Sequence, residues 1–201
     1  MSIRPKPYIT PQAHLAAERT GEIKHEDYDG QVYAMAGASE RHHLIAMNIG
    51  ASLHGQLRRR TCTVYPSDLR IKVSPLGFYT YPDISAVCGA PQFEETHRDT
   101  LLNPTVLVEV LSPSTENYDR GRKFQFYRGL SSLREYVLVT QESVHIEHYA
   151  RQPDGRRVLS ESDQPDALFH LTAIDCTLMA ADVYEKVSFD AENTDEPLSH
   201  A

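Results

Sequence analysis

The chain has 201 residues, of which 40% are hydrophobic and 24% are charged, and its formal net charge is −8. A chain of this length suits one domain, so we expect residues 1–189 to form it and the acidic residues 190–201 to be a disordered tail. The negative charge excludes a surface-wide attraction to nucleic acid, so binding to DNA would require a local basic patch.

The sequence gives no sign of export or membrane insertion. The N-terminal stretch lacks the apolar core of a signal peptide, and no run approaches the roughly 18 apolar residues needed to span a bilayer. The three cysteines, Cys62, Cys88 and Cys176, have no zinc-binding spacing, which favours a reducing cytosol. We therefore expect a cytoplasmic protein without membrane contact.

Two helices separated by a hairpin are predicted at the N-terminal end. Thr10 and Pro11 suit the cap and first position of a helix over residues 11–19. An Asp-Gly turn signal within residues 26–36 predicts a hairpin, with Glu26 on its first strand or just before it. Ser39 suits the cap of the second helix, whose apolar residues recur at helical spacing: Leu44, Ile45, Ile49, Leu53 and Leu57.

The second helix ends in three arginines, Arg58, Arg59 and Arg60. Cations at the C-terminus of a helix complement its dipole, which is the simpler interpretation. The same three cations could instead contact DNA phosphates. The sequence leaves both interpretations open.

Strands dominate the middle of the chain. A half-exposed strand is predicted to end in the Ser-Pro-Leu-Gly turn of residues 74–77, residues 79–88 form the next strand, and residues 89–104 form a long loop. Asp83 lies near the start of the second strand, where it would share a face with Ser85. Capping of a turn is the alternative role for this aspartate.

A carboxylate interrupts the most apolar strand of the sequence. Residues 106–111 form a run broken only by Glu109, as expected of a strand that is buried on both faces. A buried carboxylate without a partner costs several kcal/mol, so Glu109 should be protonated, ion-paired or bound to a metal. An arginine such as Arg70 or Arg122 is one candidate partner.

The helix predicted after this strand supplies another cation. Asp119 and Lys123 lie four residues apart, so they face the same way and could form an ion pair worth about 0.2–0.5 kcal/mol. Lys123 could instead be the counter-charge of Glu109. Further strands are predicted downstream, followed by a closing helix: residues 135–140, 143–151 and 156–161 for the strands, and 178–187 for the helix.

Asp83 and Glu109 would meet if their two strands pair. Two convergent carboxylates suit a hard divalent cation such as Mg²⁺ or Mn²⁺. A lysine beside them would stabilise the negative charge that develops on phosphorus during phosphodiester hydrolysis. The pattern therefore indicates a metal-dependent hydrolase.

This constellation resembles the PD-(D/E)XK nuclease superfamily, and the chain as a whole resembles its Uma-type branch of restriction endonucleases. The motifs that carry the resemblance are Pro82-Asp83-Ile84, the EVLSPST stretch from Glu109 to Thr115, Asp119 with Lys123, Tyr127, and Glu135-Tyr136. The resemblance implies an α/β fold whose mixed central sheet is flanked by helices and preceded by N-terminal antiparallel strands. It also implies cleavage of DNA with Mg²⁺ or Mn²⁺.

The resemblance further implies roles for individual residues. Asp83 and Glu109 would bind the metal, with the carbonyl of Val110 as a third ligand and Glu26 as the acidic residue from the N-terminal part. The parent motif places a lysine two residues after the glutamate, where this chain has Leu111. The resemblance to the Uma-type branch implies that this lysine has moved to the next helix, where this chain has Lys123.

Other residues would support the site or the substrate. Side chains expected around the metal ligands are His43, Asp119 and Tyr127. Arginines expected to neutralise DNA phosphates are Arg58, Arg59, Arg60, Arg120 and Arg122. A symmetric homodimer is expected because nucleases that cut both strands often pair two active sites. The alternative function is a non-catalytic interaction protein that keeps the nuclease fold.

Overall fold

The structure is a computed structural model that describes residues 8–28, 30–35, 37–74, 78–94 and 97–189. Each helix within these ranges is too short or too polar to span a bilayer. In chain order, the elements are α1 (Pro11–Thr20), β1 (His25–Tyr28), β2 (Gln31–Ala34), α2 (Glu40–Leu57), β3 (Cys62–Pro66), β4 (Arg70–Ser74), β5 (Phe78–Thr80), β6 (Ile84–Cys88), β7 (Thr100–Leu101), β8 (Val106–Leu111), α3 (Glu116–Tyr118), a π-helical turn (Asp119–Lys123), α4 (Phe124–Tyr127), β9 (Glu135–Thr140), β10 (Ile146–Arg151), β11 (Arg157–Ser162), β12 (Leu168–Leu171), β13 (Cys176–Met179) and α5 (Ala180–Val183).

Side-chain caps begin the two long helices. The Thr10 hydroxyl accepts a hydrogen bond from the Ala13 N–H at 3.2 Å, and Pro11 occupies the first position of α1. The Ser39 hydroxyl accepts from the His42 N–H at 3.2 Å at the start of α2. The apolar stripe of α2 is then buried against the central sheet through Ile45, Ile49, Leu53 and Leu57.

A six-stranded mixed sheet forms the centre, in the order β11-β10-β9-β8-β6-β3. Among the strands of the described residues, β8 and β9 are the one parallel pair in this sheet. One face packs on α2 and the C-terminal hairpin, and the other packs on the helical segment that follows β8. The predicted α/β fold, with a mixed sheet between helices, is confirmed.

The N-terminal strands belong to a second sheet, in the order β2-β1-β5-β4-β7. The predicted hairpin pairs β1 with β2, and Gly30 adopts a φ of 73° at its turn, which glycine tolerates readily. Strand β7 lies inside the predicted long loop and pairs in parallel with β4. The interpretation of residues 89–104 as a loop without strands was therefore wrong.

The C-terminal part differs from its prediction. The predicted closing helix over residues 178–187 is shorter, because its first two residues belong to β13, which pairs with β12. Only Ala180–Val183 is α-helical. The acidic tail from residue 190 and residues 75–77 of the predicted Ser-Pro-Leu-Gly turn lie outside the described residues.

The cysteines also behave differently from expectation. Cys62 and Cys88 face each other across the β3–β6 pair and form a disulfide. Cys176 is a buried free thiol. The cysteine spacing therefore does not support the inference of a reducing cytosol.

Candidate active site

Glu109 lies on β8 between β6 and β9, and 5% of its side chain is exposed. Leu107 and Leu111 point into the core beneath the helical segment that follows β8. Because side chains alternate along a strand, Glu109 points to the same face. A carboxylate is thus fixed by strand geometry inside an apolar layer.

Two donors hold this carboxylate. The Tyr127 hydroxyl donates to Glu109 Oε1 at 2.8 Å, and Lys123 Nζ lies 2.9 Å from the same oxygen. Burial raises the pKa of Glu109 well above its usual value, the Lys123 ammonium opposes that rise, and the charges of Asp119 and Asp83 reinforce it. The partner of Glu109 is therefore Lys123.

The two arginines considered as partners of Glu109 make other contacts. The Arg70 guanidinium lies 3.1 Å from Asp99 and donates to the Tyr81 hydroxyl at 2.7 Å. The Arg122 guanidinium lies over the ring of Tyr28, 4.1 Å from its centroid. An arginine-based ion pair does not account for the buried glutamate.

Lys123 lies at the end of the π-helical turn Asp119–Lys123, which joins α3 to α4. Its Nζ atom is 2.9 Å from Glu109, 3.2 Å from Glu26 and 3.4 Å from Asp119. A π-helical turn is wider than an α-helical one and is often found at functional sites. Here it buries both Asp119 and Lys123.

The charge on Lys123 is fixed by its surroundings. Burial alone disfavours an ammonium ion, but Glu109, Glu26 and Asp119 outweigh that effect and hold the pKa of Lys123 well above its usual value. Burial raises the pKa of Asp119, and Lys123 opposes the rise. The two interpretations of Lys123 thus coexist, since it pairs with Asp119 and with Glu109.

Asp83 immediately precedes β6, which pairs with β8 through Ile84 and Val108. Its Oδ2 atom accepts a hydrogen bond from the Val110 N–H at 2.7 Å and lies 3.2 Å from His42 Nε2. The Asp83 side chain is 15% exposed, so it is less buried than Glu109. Asp83 thus lies at the solvent edge of the pair of strands.

The carbonyl of Val110 lies on the same side as Asp83. In an extended strand the N–H and C=O of one residue point to the same edge. Since the Val110 N–H points to Asp83, where β6 no longer pairs with β8, its carbonyl also points to that edge. This carbonyl and the two carboxylates are the oxygen donors that the sequence predicted.

Glu26 enters from the second sheet. It lies on β1 opposite Tyr33, accepts a hydrogen bond from the Thr80 hydroxyl, and lies 3.2 Å from Lys123 Nζ. The N-terminal sheet therefore supplies one carboxylate to a cluster otherwise built by β8 and the helical segment after it.

One predicted neighbour is replaced by another. His42, and not His43, contacts Asp83, while His43 is exposed. Tyr118 was missed by the sequence analysis: burial raises the pKa of its phenol, and the charges of Glu26, Asp119 and Glu109 add to that rise. His42 is three residues before Ile45, so the apolar phase of α2 was a signal that could have located it.

Three of the five predicted DNA-contacting arginines lie away from this cluster. Arg58, Arg59 and Arg60 follow the far end of α2, about 24 Å from His42 at 1.5 Å per residue. Arg60 is bound to the carboxylate of Asp175 at 3.0 Å.

The other two predicted arginines lie beside Lys123 on the π-helical turn. Arg120 is held by Glu147 at 2.8 Å and by Glu116 at 2.9 Å. Arg122 is exposed and lies against Tyr28. Of these two arginines, only Arg122 has no carboxylate contact among the described residues.

The oxygen donors of this cluster are of the chemical type that a magnesium ion prefers. Among the described residues, no group of three or more His, Cys, Asp and Glu side chains is arranged for a metal. Mg²⁺ commonly binds through one or two carboxylates and keeps several waters. Asp83, Glu109 and the Val110 carbonyl offer that kind of all-oxygen set.

The fold is of the restriction-endonuclease type, and a carboxylate pair and a lysine lie beside the interior strands β6 and β8 of its mixed sheet. The chain matches the Uma2 family model, described as "Putative restriction endonuclease", over residues 11–178. The chain belongs to this family, and family and fold support a nuclease function.

The chain is also similar to two relatives and, in fold, to a solved structure. The chain is 35% identical to the uncharacterized protein slr1290 of Synechocystis sp. (strain ATCC 27184 / PCC 6803 / Kazusa), covering 92% of this chain and 96% of that protein. It is 31% identical to sll1609 of the same organism, over 76% of this chain and 86% of that protein. The fold matches the crystal structure of "a putative nuclease belonging to DUF820" from Anabaena variabilis ATCC 29413 with a TM-score of 0.72 and 17% identity, covering 88% of this chain and 97% of that chain.

Proposed function

We propose that this protein is a metal-dependent endonuclease that hydrolyses DNA phosphodiester bonds. The observation that carries the proposal is the burial of Glu109 against Lys123, with Asp83 held beside it by the Val110 N–H. Buried ion pairs are seldom chosen for stability alone, because desolvation offsets much of their attraction. A catalytic role explains a cluster of three carboxylates around one lysine better than a purely stabilising role does.

The metal ligands in this proposal are Asp83, Glu109 and the carbonyl of Val110. A bound Mg²⁺ or Mn²⁺ would lower the pKa of a water molecule and neutralise charge on the scissile phosphate. The Tyr127 hydroxyl fixes the orientation of Glu109, and the Val110 N–H fixes that of Asp83. The protein thus holds both carboxylates in place before any ligand arrives.

Lys123 acts as a cation in this proposal and not as a general base. Its raised pKa keeps it protonated at neutral pH, so its ammonium can stabilise negative charge that develops on the phosphate. Glu26 and Asp119 hold the ammonium from two further sides. They are positioning residues, since their contacts are with Lys123.

DNA is the proposed substrate, and its contacts must be local because the net charge is −8. Arg122 is the best placed of the predicted arginines, because it is exposed and lies one residue from Lys123. Arg58 and Arg59 are exposed and could neutralise phosphates farther along a duplex. Binding should weaken steeply with salt.

Cleavage of supercoiled plasmid in Mn²⁺ tests the proposal. Asp83→Asn removes a ligand charge at a partly exposed position, and we expect a loss of about 100-fold or more, the scale on which single electrostatic contributors act. Asp68→Asn is the matched control, because its carboxylate is 78% exposed and contacts Lys24 away from the cluster. Equal cleavage by wild type and Asp83→Asn would refute the assignment.

A non-catalytic nuclease-fold interaction protein is the second candidate. The observation that favours it is the internal neutralisation of Lys123 by three carboxylates, which leaves little net positive charge for a phosphate. In that case wild-type protein would leave the plasmid intact at every Mn²⁺ concentration. Retention of DNA binding in a filter or mobility assay would then identify a binding protein.

A further inference from the structure

One of the two edge strands of the central sheet is β11, Arg157–Ser162. It pairs with β10 along its whole length, and no other strand of the described residues pairs with it. Two of its apolar side chains are largely exposed, Val158 by 49% and Leu159 by 43%. An edge strand of this kind is a template on which another strand can add.

The backbone hydrogen bonds show which residues face the open edge. The Gln152 N–H donates to the Arg156 carbonyl at 2.7 Å, across the turn that joins β10 to β11. The Arg151 N–H donates instead to the Arg134 carbonyl at 2.8 Å, on the side of β9. Facing residues of two antiparallel strands alternate between hydrogen-bonded and non-hydrogen-bonded pairs. Because the backbone of Arg151 bonds toward β9, Arg151 and the facing residue Arg157 form a non-hydrogen-bonded pair of β10 and β11. The N–H and C=O of Arg157 therefore point away from β10.

The same backbone orientation recurs at every second residue of β11. The three residues whose backbone groups face the open edge are Arg157, Leu159 and Glu161. Their side chains also share one face of the sheet. This edge therefore presents, in order, a positive, an apolar and a negative side chain.

Within one chain these charges are badly matched. The β10–β11 register places Arg157 opposite Arg151 and Glu161 opposite Glu147, and like charges directly opposite each other destabilise a sheet. One guanidinium nitrogen of Arg157, Nη1, is buried without a hydrogen-bond partner among the described residues. Glu161 is 55% exposed and has His145 Nε2 at 3.5 Å, so much of its carboxylate can still be approached.

We propose that two copies of this chain pair antiparallel through β11, with Leu159 opposite Leu159 of the second copy. This register places Arg157 of each copy opposite Glu161 of the other, so both like-charge pairs gain an opposite charge. Each of the three edge-facing pairs exchanges two backbone hydrogen bonds. The interface is the same surface on both copies, as a two-fold axis requires.

A second copy fits this edge better than a nucleic acid does. Phosphates would satisfy Arg157 but would be repelled by Glu161 on the same face. They would also leave Leu159 exposed and the outward N–H and C=O groups without the regular partners that a strand supplies. In the opposite direction the same strand presents Glu161, Leu159 and Arg157, so a second copy is complementary to this edge.

Sedimentation velocity of the full chain, freed of nucleic acid, tests the proposal through charge reversal. Arg157→Glu alone places two acids opposite each other at both ends of the interface, and Glu161→Arg alone places two arginines there. We expect each variant to dissociate with a Kd raised about tenfold or more. An equimolar mixture of the two variants should restore the dimer, because every facing pair then has opposite charges.

Leu159→Pro provides an independent arm. Its missing N–H faces the open edge, so the proline should block the second copy and leave the β10 ladder intact. Circular dichroism and the unfolding midpoint show whether each variant is folded, and rescue in the mixture excludes a folding defect. A wild type that is monomeric at about 100 μM, where even a weak dimer is populated, would overturn the proposal. So would variants that dimerise like wild type, or a mass increase that needs added DNA.

Discussion

Replacing Lys123 with methionine tests whether its buried ammonium holds the acid cluster together. Methionine keeps most of the length of the side chain and removes the charge, leaving Glu109, Glu26 and Asp119 without the cation that lies 2.9, 3.2 and 3.4 Å from them. Breaking a buried pair by removing one partner costs about 3–5 kcal/mol. We expect a loss of this size in the free energy of unfolding at pH 8.

The pH dependence of that loss has a definite sign. In wild type, the raised pKa of Lys123 contributes stability below the ordinary lysine pKa, and this is lost as the pH rises through the raised value. In the variant, the lysine no longer opposes the burial that raises the pKa of Glu109 and Asp119. A raised carboxyl pKa stabilises the fold only while the group is protonated, so the deficit should shrink as the pH is lowered toward the ordinary carboxyl range.

Urea unfolding at several pH values measures this deficit, provided that the dependence on urea is unchanged between proteins. Lys24→Met is the matched control, because the Lys24–Asp68 pair is exposed, with 42% and 78% of the two side chains accessible, and such pairs contribute about 0–1 kcal/mol. A Lys123→Met protein within about 1 kcal/mol of wild type at pH 8, with the same pH profile, would refute the reasoning.

Three further predictions follow from neighbouring contacts. Tyr127→Phe removes the hydroxyl that donates to Glu109 at 2.8 Å and should cost about 1.5–3 kcal/mol in urea unfolding, the range for hydrogen bonds to charged groups; an unchanged midpoint would contradict that contact. Reduction of the Cys62–Cys88 disulfide, which closes a sequence separation of 26, should lower the unfolding free energy by about 3 kcal/mol, and Cys62→Ser should remove the sensitivity to reductant. The pKa of Asp99 is lowered to about 2 by its arginine partners, so Asp99 contributes stability above its ordinary pKa, and this contribution is lost as the pH falls toward about 2. Asp99→Asn should therefore make the free energy of unfolding less dependent on pH in that window. An unaltered acid transition in the variant would contradict this role of Asp99.

The elements that the sequence located best are those with strong patterns. The apolar stripe of α2 and the apolar run of β8 each indicate a buried element directly, because helical spacing and a nearly continuous apolar stretch are typical of those environments. Glu109 stood out for the same reason, since a carboxylate is costly in such a strand. The sequence limited the partner of Glu109 to a nearby cation, but it did not show which cation that is.

Other features depend on tertiary structure that no local pattern records. The π-helical turn Asp119–Lys123 decides that Lys123 points inward, and its sequence resembles that of an ordinary helix start. The two-residue strand β7 is too short to show alternation. The Cys62–Cys88 pair depends on the register of β3 against β6, which long-range pairing sets.

The ion-pair partners of the arginines were the hardest feature to predict, because these partners come from distant segments. Arg120 looked available for DNA, but Glu147 from β10 and Glu116 from α3 hold it. Arg60 likewise pairs with Asp175, 115 residues away. A count of arginines in sequence says nothing about which of them remain unpaired after folding.

Titration with Mn²⁺, followed by the electron paramagnetic resonance signal of the free ion, tests the proposed metal site most directly. We predict one bound ion per chain in wild type and in Asp68→Asn, and a loss of affinity of about 10-fold or more in Asp83→Asn, since even outer-shell partners of a metal contribute on this scale. Wild type that binds no Mn²⁺, or Asp83→Asn that binds it as tightly as wild type, would contradict the assignment of Asp83, Glu109 and Val110 as ligands.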